Sequence, residues 1–430
     1  MNSPPSSAPT SSLGSAPDSL LEGGTKELSV DAVRAAIAAA IQPLTGVEAL
    51  NIRSALGRVL AQAILSPLDV PGHDNSAMDG YALRHADLTA GDSNRLRIAG
   101  SAFAGRPYAG PELASATCVR VMTGALLPAG ADCVVPQEIT RADGEYVLIP
   151  PRQRQFQNIR RAGEDVIRGA TLLSAGQLLR PAEIGMLASV GIAEVEVRRR
   201  PRVAFFSTGD ELCSIGSTPA RGQVFDSNRY TVDAMLRRLG CEPLDFGVVP
   251  DHPEHLQATL VEAAAGADVI ITTGGVSVGD ADFIRSLVAR LGQVVSWRIA
   301  MKPGRPMAFG RIGDAVLFGL PGNPVAVMVT FYAFVREALL RMMGASRSTL
   351  PLPRLPCATA LKKSPGRTEY QRGIVFDDAN GLPQVRLTGA QGSGILHSMS
   401  EANCFIVLPP ELGDVAPGDL VSVQLFDGLV

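Results

Sequence analysis

The sequence predicts a multidomain α/β protein. Its centre is a three-layer α/β domain with a parallel-type sheet over 200–349. A small β-rich module covers 70–164, and a C-terminal β barrel covers 350–430. Residues 26–69 and 165–199 make a discontinuous linking domain. Three observations carry this reading. Between 200 and 345, short apolar runs such as RVAFFS and DVIITT alternate with helical stretches, the signature of a parallel sheet covered on both faces. From 70 to 164, the runs RLRIAG, TCVRVMTG, DCVVPQEI and EYVLIP are separated by Gly and Pro turns, with no strong helical period. Beyond Leu350, the runs PCATALKK, YQRGIVF, PQVRLTG, CFIVLP and LVSVQLF are spaced by Gly, Pro and Asn-Gly turns. A chain of 430 residues has room for several cores at roughly 100–200 residues per domain.

Taken in order, residues 1–25 are rich in Ser, Pro and Gly and poor in apolar residues, so a disordered tail is expected there. Val33, Ile37, Ala40 and Ile41 then recur at helical spacing, with Ser29 as the N-cap and Pro43 as the stop. A short helix over Pro181–Val190 ends at Gly191. In the α/β part, strand 202–207 leads to a helix over 231–239, stopped by Gly240. Strand 243–249 leads to a helix over 254–265, where Pro253 suits the first turn. Strand 268–273 precedes a helix over 282–291. Strands 294–300 and 315–319 follow, then a helix from Val325 to Met343.

Composition narrows the function. The net charge of −3 gives no global basic field to recruit nucleic acid or a membrane surface. The six cysteines are dispersed and form no CxxC pair, which excludes a zinc knuckle and a thioredoxin-like pair. They suit a reducing compartment, so a cytoplasmic location is expected. No apolar run is long enough for a transmembrane helix. The first positive charge is Lys26, so no targeting peptide is expected.

In an open parallel sheet, ligands bind beyond the carboxyl ends of the strands. Four Gly-rich loops fall at such ends: STGDE (207–211), TTGGVSVGD (272–280), MKPGRP (301–306) and GLPGNP (319–324). Glycine lets backbone approach a ligand, and amides at helix N-termini favour anions. One such loop is ordinary turn chemistry, whereas four with charges in them point to one crevice. No P-loop, no GxSxG elbow and no HExxH occurs, and GGVSVG has the wrong spacing for GxGxxG. His252 and His255 flank a Pro at a helix start with no third ligand nearby, so no zinc site is assigned to them.

Glu211, Asp251 and Asp282 each lie just beyond a strand of the same sheet. Singly, each reads as a helix cap or a solvated turn residue. Together they could hold Mg²⁺, which takes oxygen ligands and shares substrate phosphates. Arg298, Lys302 and Arg305 supply the opposite charge. Arg298 and Lys302 are four apart, which predicts one face of one strand. As an exposed lysine, Lys302 is expected to contribute little to folding. Carboxylates and cations in one crevice suit metal-assisted phosphate chemistry. A second string, PLDVPGHDNSAMDGYALR (67–84), reads as a structured turn, with Asp74 and Asp79 as candidates to reach a neighbouring cleft. Thr123 sits at a strand end and Asp165 in a turn, and nothing in the residues themselves joins these to the crevice.

The strings DVPGHDNSAMDGYA, RVMTGALLPAGAD, NIRRAGED, FFSTGDEL, ITTGGVSVGDADF, IAMKPGRPMAFG, GLPGNPVAV, TEYQRG and GAQGSG occur in that order. Together they resemble the molybdopterin molybdenumtransferase family, which includes bacterial MoeA, the E domain of gephyrin and its plant counterpart. The resemblance implies a transferase acting at the last step of molybdenum cofactor assembly. It implies binding of adenylylated molybdopterin and molybdate, Mg²⁺-assisted cleavage of the phosphoanhydride, and release of AMP. It also implies a homodimer whose active sites combine the α/β domain of one subunit with the β module of its partner, so that Asp79, Thr123 and Asp165 act in trans. A molybdopterin adenylyltransferase is the implied supplier of substrate.

Carried onto this chain, the catalytic positions are Asp282, Asp251, Glu211 and Asp79, with Glu211, Asp251 and Asp282 as the Mg²⁺ ligands. The substrate positions are Thr123, Asp165, Gly274, Gly275, Ser277, Arg298, Lys302, Asn323, Pro324, Arg372 and Ser393. Arg298 departs from the family, where many relatives carry Lys, and its planar fork changes how an anion would be held. Two other readings stay open: a non-catalytic scaffold of the same fold, and a different nucleotide-dependent phosphotransferase.

Overall fold

The computed structural model describes residues 27–89, 91–274 and 290–429. The tail expected over 1–25 lies outside them, as does the helix expected over 282–291 except for its last two residues.

Helix α1 (Val30–Ala40) starts where Ser29 accepts a hydrogen bond from the Ala32 amide and buries Val33, Ala36, Ile37 and Ala40. Strand β1 (Val47–Asn51) is followed by the β-rich module, whose strands are β2 (Gly80–Leu83), β3 (Asn94–Ala102), β4 (Thr117–Val121), β5 (Cys133–Pro136), β6 (Arg141–Asp143) and β7 (Tyr146–Ile149). They form one sheet in the order β5-β2-β4-β3-β7-β6. β2 was hidden in the string read as a turn. Its four residues are all buried, and it pairs with both β4 and β5.

Helix α2 (Pro181–Ser189) opens with Pro181 at its first position. The Glu183 carboxylate accepts from both the backbone amide and the guanidinium of Arg180. These hydrogen bonds, led by the guanidinium's, hold Glu183 down to about 2 against its burial. Strand β8 (Glu194–Arg198) returns to pair antiparallel with β1, which joins the two stretches on either side of the β-rich module.

The α/β part contains β9 (Arg202–Thr208), α3 (Asn228–Leu239), β10 (Glu242–Val249), α4 (Pro253–Gly266) and β11 (Val269–Thr273). It continues with β12 (Gly292–Arg298), β13 (Met301–Lys302), β14 (Pro306–Ile312) and β15 (Ala315–Leu320). Its sheet runs β10-β9-β11-β15-β14-β12. The first four strands are parallel, β14 is antiparallel to β15, and the edge strand β12 is antiparallel to β14 and so runs in the direction of the first four. Alternate residues face opposite layers. Phe205, Ile271 and Phe318 pack with Val232 and Leu236 of α3, whereas Ala204, Phe206 and Ile270 pack with Leu256 and Leu260 of α4. A strand buried on both faces must be apolar throughout, which is why these runs stood out. Helix α5 (Pro324–Thr330) passes through a π turn at Phe331–Val335 into α6 (Arg336–Met342).

The C-terminal part holds β16 (Arg354–Pro356), β17 (Thr368–Asp377), β18 (Pro383–Leu387), β19 (Cys404–Leu408) and β20 (Leu420–Leu425). Their sheet runs β13-β17-β19-β20-β16, with β18 on β17. A bridge from Cys357 to Val385 brings the β16 end of the sheet onto β18 and curls it into a barrel. The strand expected over PCATALKK is confined to β16 and isolated bridges. Among the described residues, no helix is long and apolar enough to cross a membrane.

Candidate active site

A cleft of about 1180 Å³ opens at the carboxyl edge of β9, β11 and β15, where the loop 391–393 of the barrel faces it. Because β14 is antiparallel to β15 and β12 is antiparallel to β14, the end of β12 and the start of β14 lie at this same edge. The loop between them therefore joins the site. Of the expected residues, Glu211, Asp251, Gly274, Lys302, Asn323, Pro324 and Ser393 line the cleft. Asp282, Gly275 and Ser277 lie outside the described residues.

Two glycine positions are fixed by geometry. Gly274 has φ +89°, and a Cβ there would lie 2.3 Å from the Thr208 carbonyl oxygen. Gly304 has φ +100°, and its Cβ would lie 2.6 Å from Cγ2 of Thr330. Both are places where a cleft loop packs tightly against a neighbour, and only glycine fits.

On the acidic wall, the Thr208 hydroxyl donates to Asp251 Oδ1, and the Asp251 amide donates to Asp210 Oδ1 at 3.3 Å. Among the described residues, no three metal-ligating side chains converge. A closed protein cage is not needed, because Mg²⁺ is usually held by one or two carboxylates together with substrate phosphates. Glu211 and Asp251, both exposed on the cleft wall, meet that requirement.

The cationic wall is Lys302, Arg305 and Arg367. Lys302 Nζ lies 3.6 Å from Glu369 Oε1 of β17, and Arg305 is ion-paired with Glu27. The barrel loop is seated by Arg372. Its guanidinium is 1% exposed and donates to the carbonyl of Gly392 at 3.0 Å and to the Ser398 hydroxyl at 3.0 Å. The Ser393 carbonyl in turn accepts from the Val325 amide at the start of α5.

Two expectations are corrected. Arg298 does not line the cleft and does not share a strand face with Lys302. β12 ends at Arg298, where the Ile299 amide turns to the Arg305 carbonyl, and Lys302 belongs to the barrel sheet. The i, i+4 alternation fails because the strand does not continue between them. Arg372 does not line the cleft either. It is buried behind the loop and holds its carbonyls.

Asp79, Thr123 and Asp165 lie away from this cleft, in and beside the β-rich module. The pairing of Gly80 with Val121 brings the first two together, so that Asp79 Oδ1 accepts from the Thr123 amide and hydroxyl, both at 2.8 Å. These bonds hold the Asp79 carboxyl below its usual range. Asp165 is exposed, and its amide donates to Val70. Asp74 is used locally, by the Ala162 amide and Arg161.

Sequence reading missed Asp226 and Asn228, which line the cleft and are 1% and 6% exposed. Asp226 Oδ2, 3.6 Å from Arg229 Nε, and Asn228 Oδ1 have no hydrogen-bond partner among the described residues. Buried acceptors without a partner invite a donor from elsewhere. The available signal was an acidic, amide-bearing string, FDSN, that leads into α3.

Comparison with known proteins identifies this architecture. The chain matches the MoeA N-terminal region (domain I and II) over 28–191, a probable molybdopterin binding domain over 204–341, and the MoeA C-terminal region (domain IV) over 354–426. A molybdopterin molybdenumtransferase of Haemophilus influenzae is 41% identical over 405 residues, covering 94% of this chain and 100% of the relative. The chain belongs to the molybdopterin molybdenumtransferase family. Another member, from a Nostoc species, is 36% identical over 88% of both chains. The crystal structure of a molybdopterin biosynthesis MoeA protein from Pyrococcus horikoshii superposes with a TM-score of 0.82 at 28% identity, covering 93% of this chain and 100% of that one. Within the molybdenumtransferase family frame, the cleft lies in the segment matched by the molybdopterin binding domain, closed by the segment matched as domain IV.

Proposed function

We propose that the chain is a molybdopterin molybdenumtransferase: it takes molybdenum from molybdate onto the dithiolene of adenylylated molybdopterin and releases AMP. The observation that carries this reading is the cleft itself. It sets exposed carboxylates, Glu211 and Asp251, on the same cavity as the cations Lys302, Arg305 and Arg367. The volume accommodates a substrate much larger than a phosphate.

Lys302, Arg305 and Arg367 would bind the oxygens of the phosphoanhydride and of molybdate through charge-assisted hydrogen bonds. The tight packing at Gly274 keeps two cleft loops together, so backbone can approach the substrate. Asp226 and Asn228 would accept N–H donors of the pterin ring. Glu211 and Asp251, with Asp282, would hold Mg²⁺, which when bound neutralises charge developing on the cleaved anhydride.

The composite dimer is part of the proposal. Asp79 and Thr123 form a bonded unit that this chain's own cleft does not use, so the partner's β module would bring it there. All six cysteines are unpaired and five of them are buried, which supports a reducing, cytoplasmic setting. A molybdopterin adenylyltransferase would supply the substrate.

The reading is tested by incubating the chain with adenylylated molybdopterin, Mg²⁺ and molybdate, then adding a molybdenum-free apo-molybdoenzyme. Activation of the acceptor only when molybdate and substrate are both present is expected. No activation by a well-folded chain would overturn the transferase reading and favour the scaffold.

A further inference from the structure

We propose that Glu369 is a positioning residue of the cleft: a buried carboxylate of the barrel that aims the Lys302 ammonium at substrate phosphate. The inference rests on the proposed role of the cleft as an anhydride site. Glu369 is 5% exposed. One of its oxygens accepts from Gln371 Nε2 at 2.9 Å, and the other lies 3.6 Å from Lys302 Nζ. The pair is set by backbone register, because Met301–Lys302 runs parallel to Thr368–Glu369 as an added strand of the barrel sheet. Lys302 therefore leaves the α/β sheet and is held by the other domain, while its side chain stays more than half exposed on the cleft.

A buried carboxylate beside a site for polyanions is unfavourable unless it organises a cation. Lys363, 6% exposed, is the other ammonium whose charge Glu369 offsets, and its Nζ is already taken by the carbonyls of Ser364 and Leu412. Among the described residues, Lys302 is the cleft-lining cation that Glu369 is placed to direct, 3.6 Å from its Oε1. An ammonium has three donors, so one side can face Glu369 while the others face the cleft. A lysine oriented by a glutamate to hold phosphates is a known device of phosphoryl-transfer sites.

The test has a sign that separates positioning from plain charge. Titration calorimetry of the full-length chain with inorganic pyrophosphate would compare wild type, Glu369→Gln, Lys302→Ala and the double variant at fixed ionic strength. If Glu369 only adds negative charge, its removal tightens binding. If it aims Lys302, Glu369→Gln weakens binding about tenfold, the loss expected for one misplaced charge-assisted hydrogen bond. The double variant is then no weaker than Lys302→Ala. Glu369→Asp, which keeps the charge and shortens the reach, guards against a folding defect and should also bind more weakly. Equal or tighter binding by Glu369→Gln, or losses that add in the double variant, would overturn the inference alone. Unchanged binding in Lys302→Ala would overturn the anion-site reading of Lys302 and the inference with it.

Discussion

Asp251 stands on the acidic wall of the cleft. It follows β10, takes a hydrogen bond from Thr208, and lines the cleft. Asp251→Asn keeps the shape and removes the charge, so AMP release at saturating Mg²⁺ should fall about 10²-fold, as when a preorganised electrostatic contact is lost. Thermal unfolding of the variant separates this from a folding defect. Lys302 behaves differently from the exposed lysine that sequence suggests. Lys302→Ala strands the buried Glu369 carboxylate, so it should lower stability by about 1–2 kcal/mol, less than for a fully buried pair because Lys302 is half-exposed. Calorimetric unfolding should show most of that loss regained when Glu369→Gln is added. The places of Glu211 and Asp251 on the cleft were legible because each follows a strand whose pattern is clear, and that of Lys302 because it lies in a charged Pro-Gly loop. The Asp79–Thr123 bond was not, because it joins residues 44 positions apart through the register of two strands. Arg298 was misplaced because strand alternation holds only while the strand lasts.

The elements legible in sequence were those with a strong period or an obvious stop. Helix α3 ends at Gly240, whose φ is +85°, and α2 at Gly191, whose φ is +76°. The missed elements lacked such signals. β14 lies close behind the Pro-Gly turn of the MKPGRP loop, and two turn residues separate it from β15, so the two strands did not stand apart in the sequence. β2 has four residues flanked by turn formers, too short for alternation to show. At the edge of the sheet, the approach of the 274 loop to Thr208 leaves no room for a methyl group. Gly274→Ala should cost about 1–3 kcal/mol through strain at positive φ and should also weaken ligand binding, as read by unfolding and calorimetry together. At α2, the depressed Glu183 carboxyl contributes stability above its unfolded value near 4.5 and loses it as pH falls toward about 2. The stability gap between wild type and Glu183→Gln should therefore be full near pH 6 and shrink between pH 5 and 2. A gap that stays constant over that range in denaturant titrations would show that the Arg180 pairing contributes nothing.

At the scale of the whole molecule, the site is built by two domains of one chain and, in the proposed dimer, by a third from its partner. Barrel residues reach the cleft through β13 and the 391–393 loop, which Arg372 holds from behind. If Asp79 acts in trans, mixing the inactive Asp79→Ala and Asp251→Ala chains should restore activity, with at most about half of the sites in each mixed dimer intact. No recovery after verified subunit exchange would place both residues in one chain's site. The central claim is that the cleft couples anhydride cleavage to molybdenum insertion. It is tested most directly by measuring AMP released from adenylylated molybdopterin in the presence of Mg²⁺, with and without molybdate. The account predicts AMP release that depends on molybdate and is lost in Asp251→Asn. Release at the same rate without molybdate, or undiminished in Asp251→Asn, would contradict it.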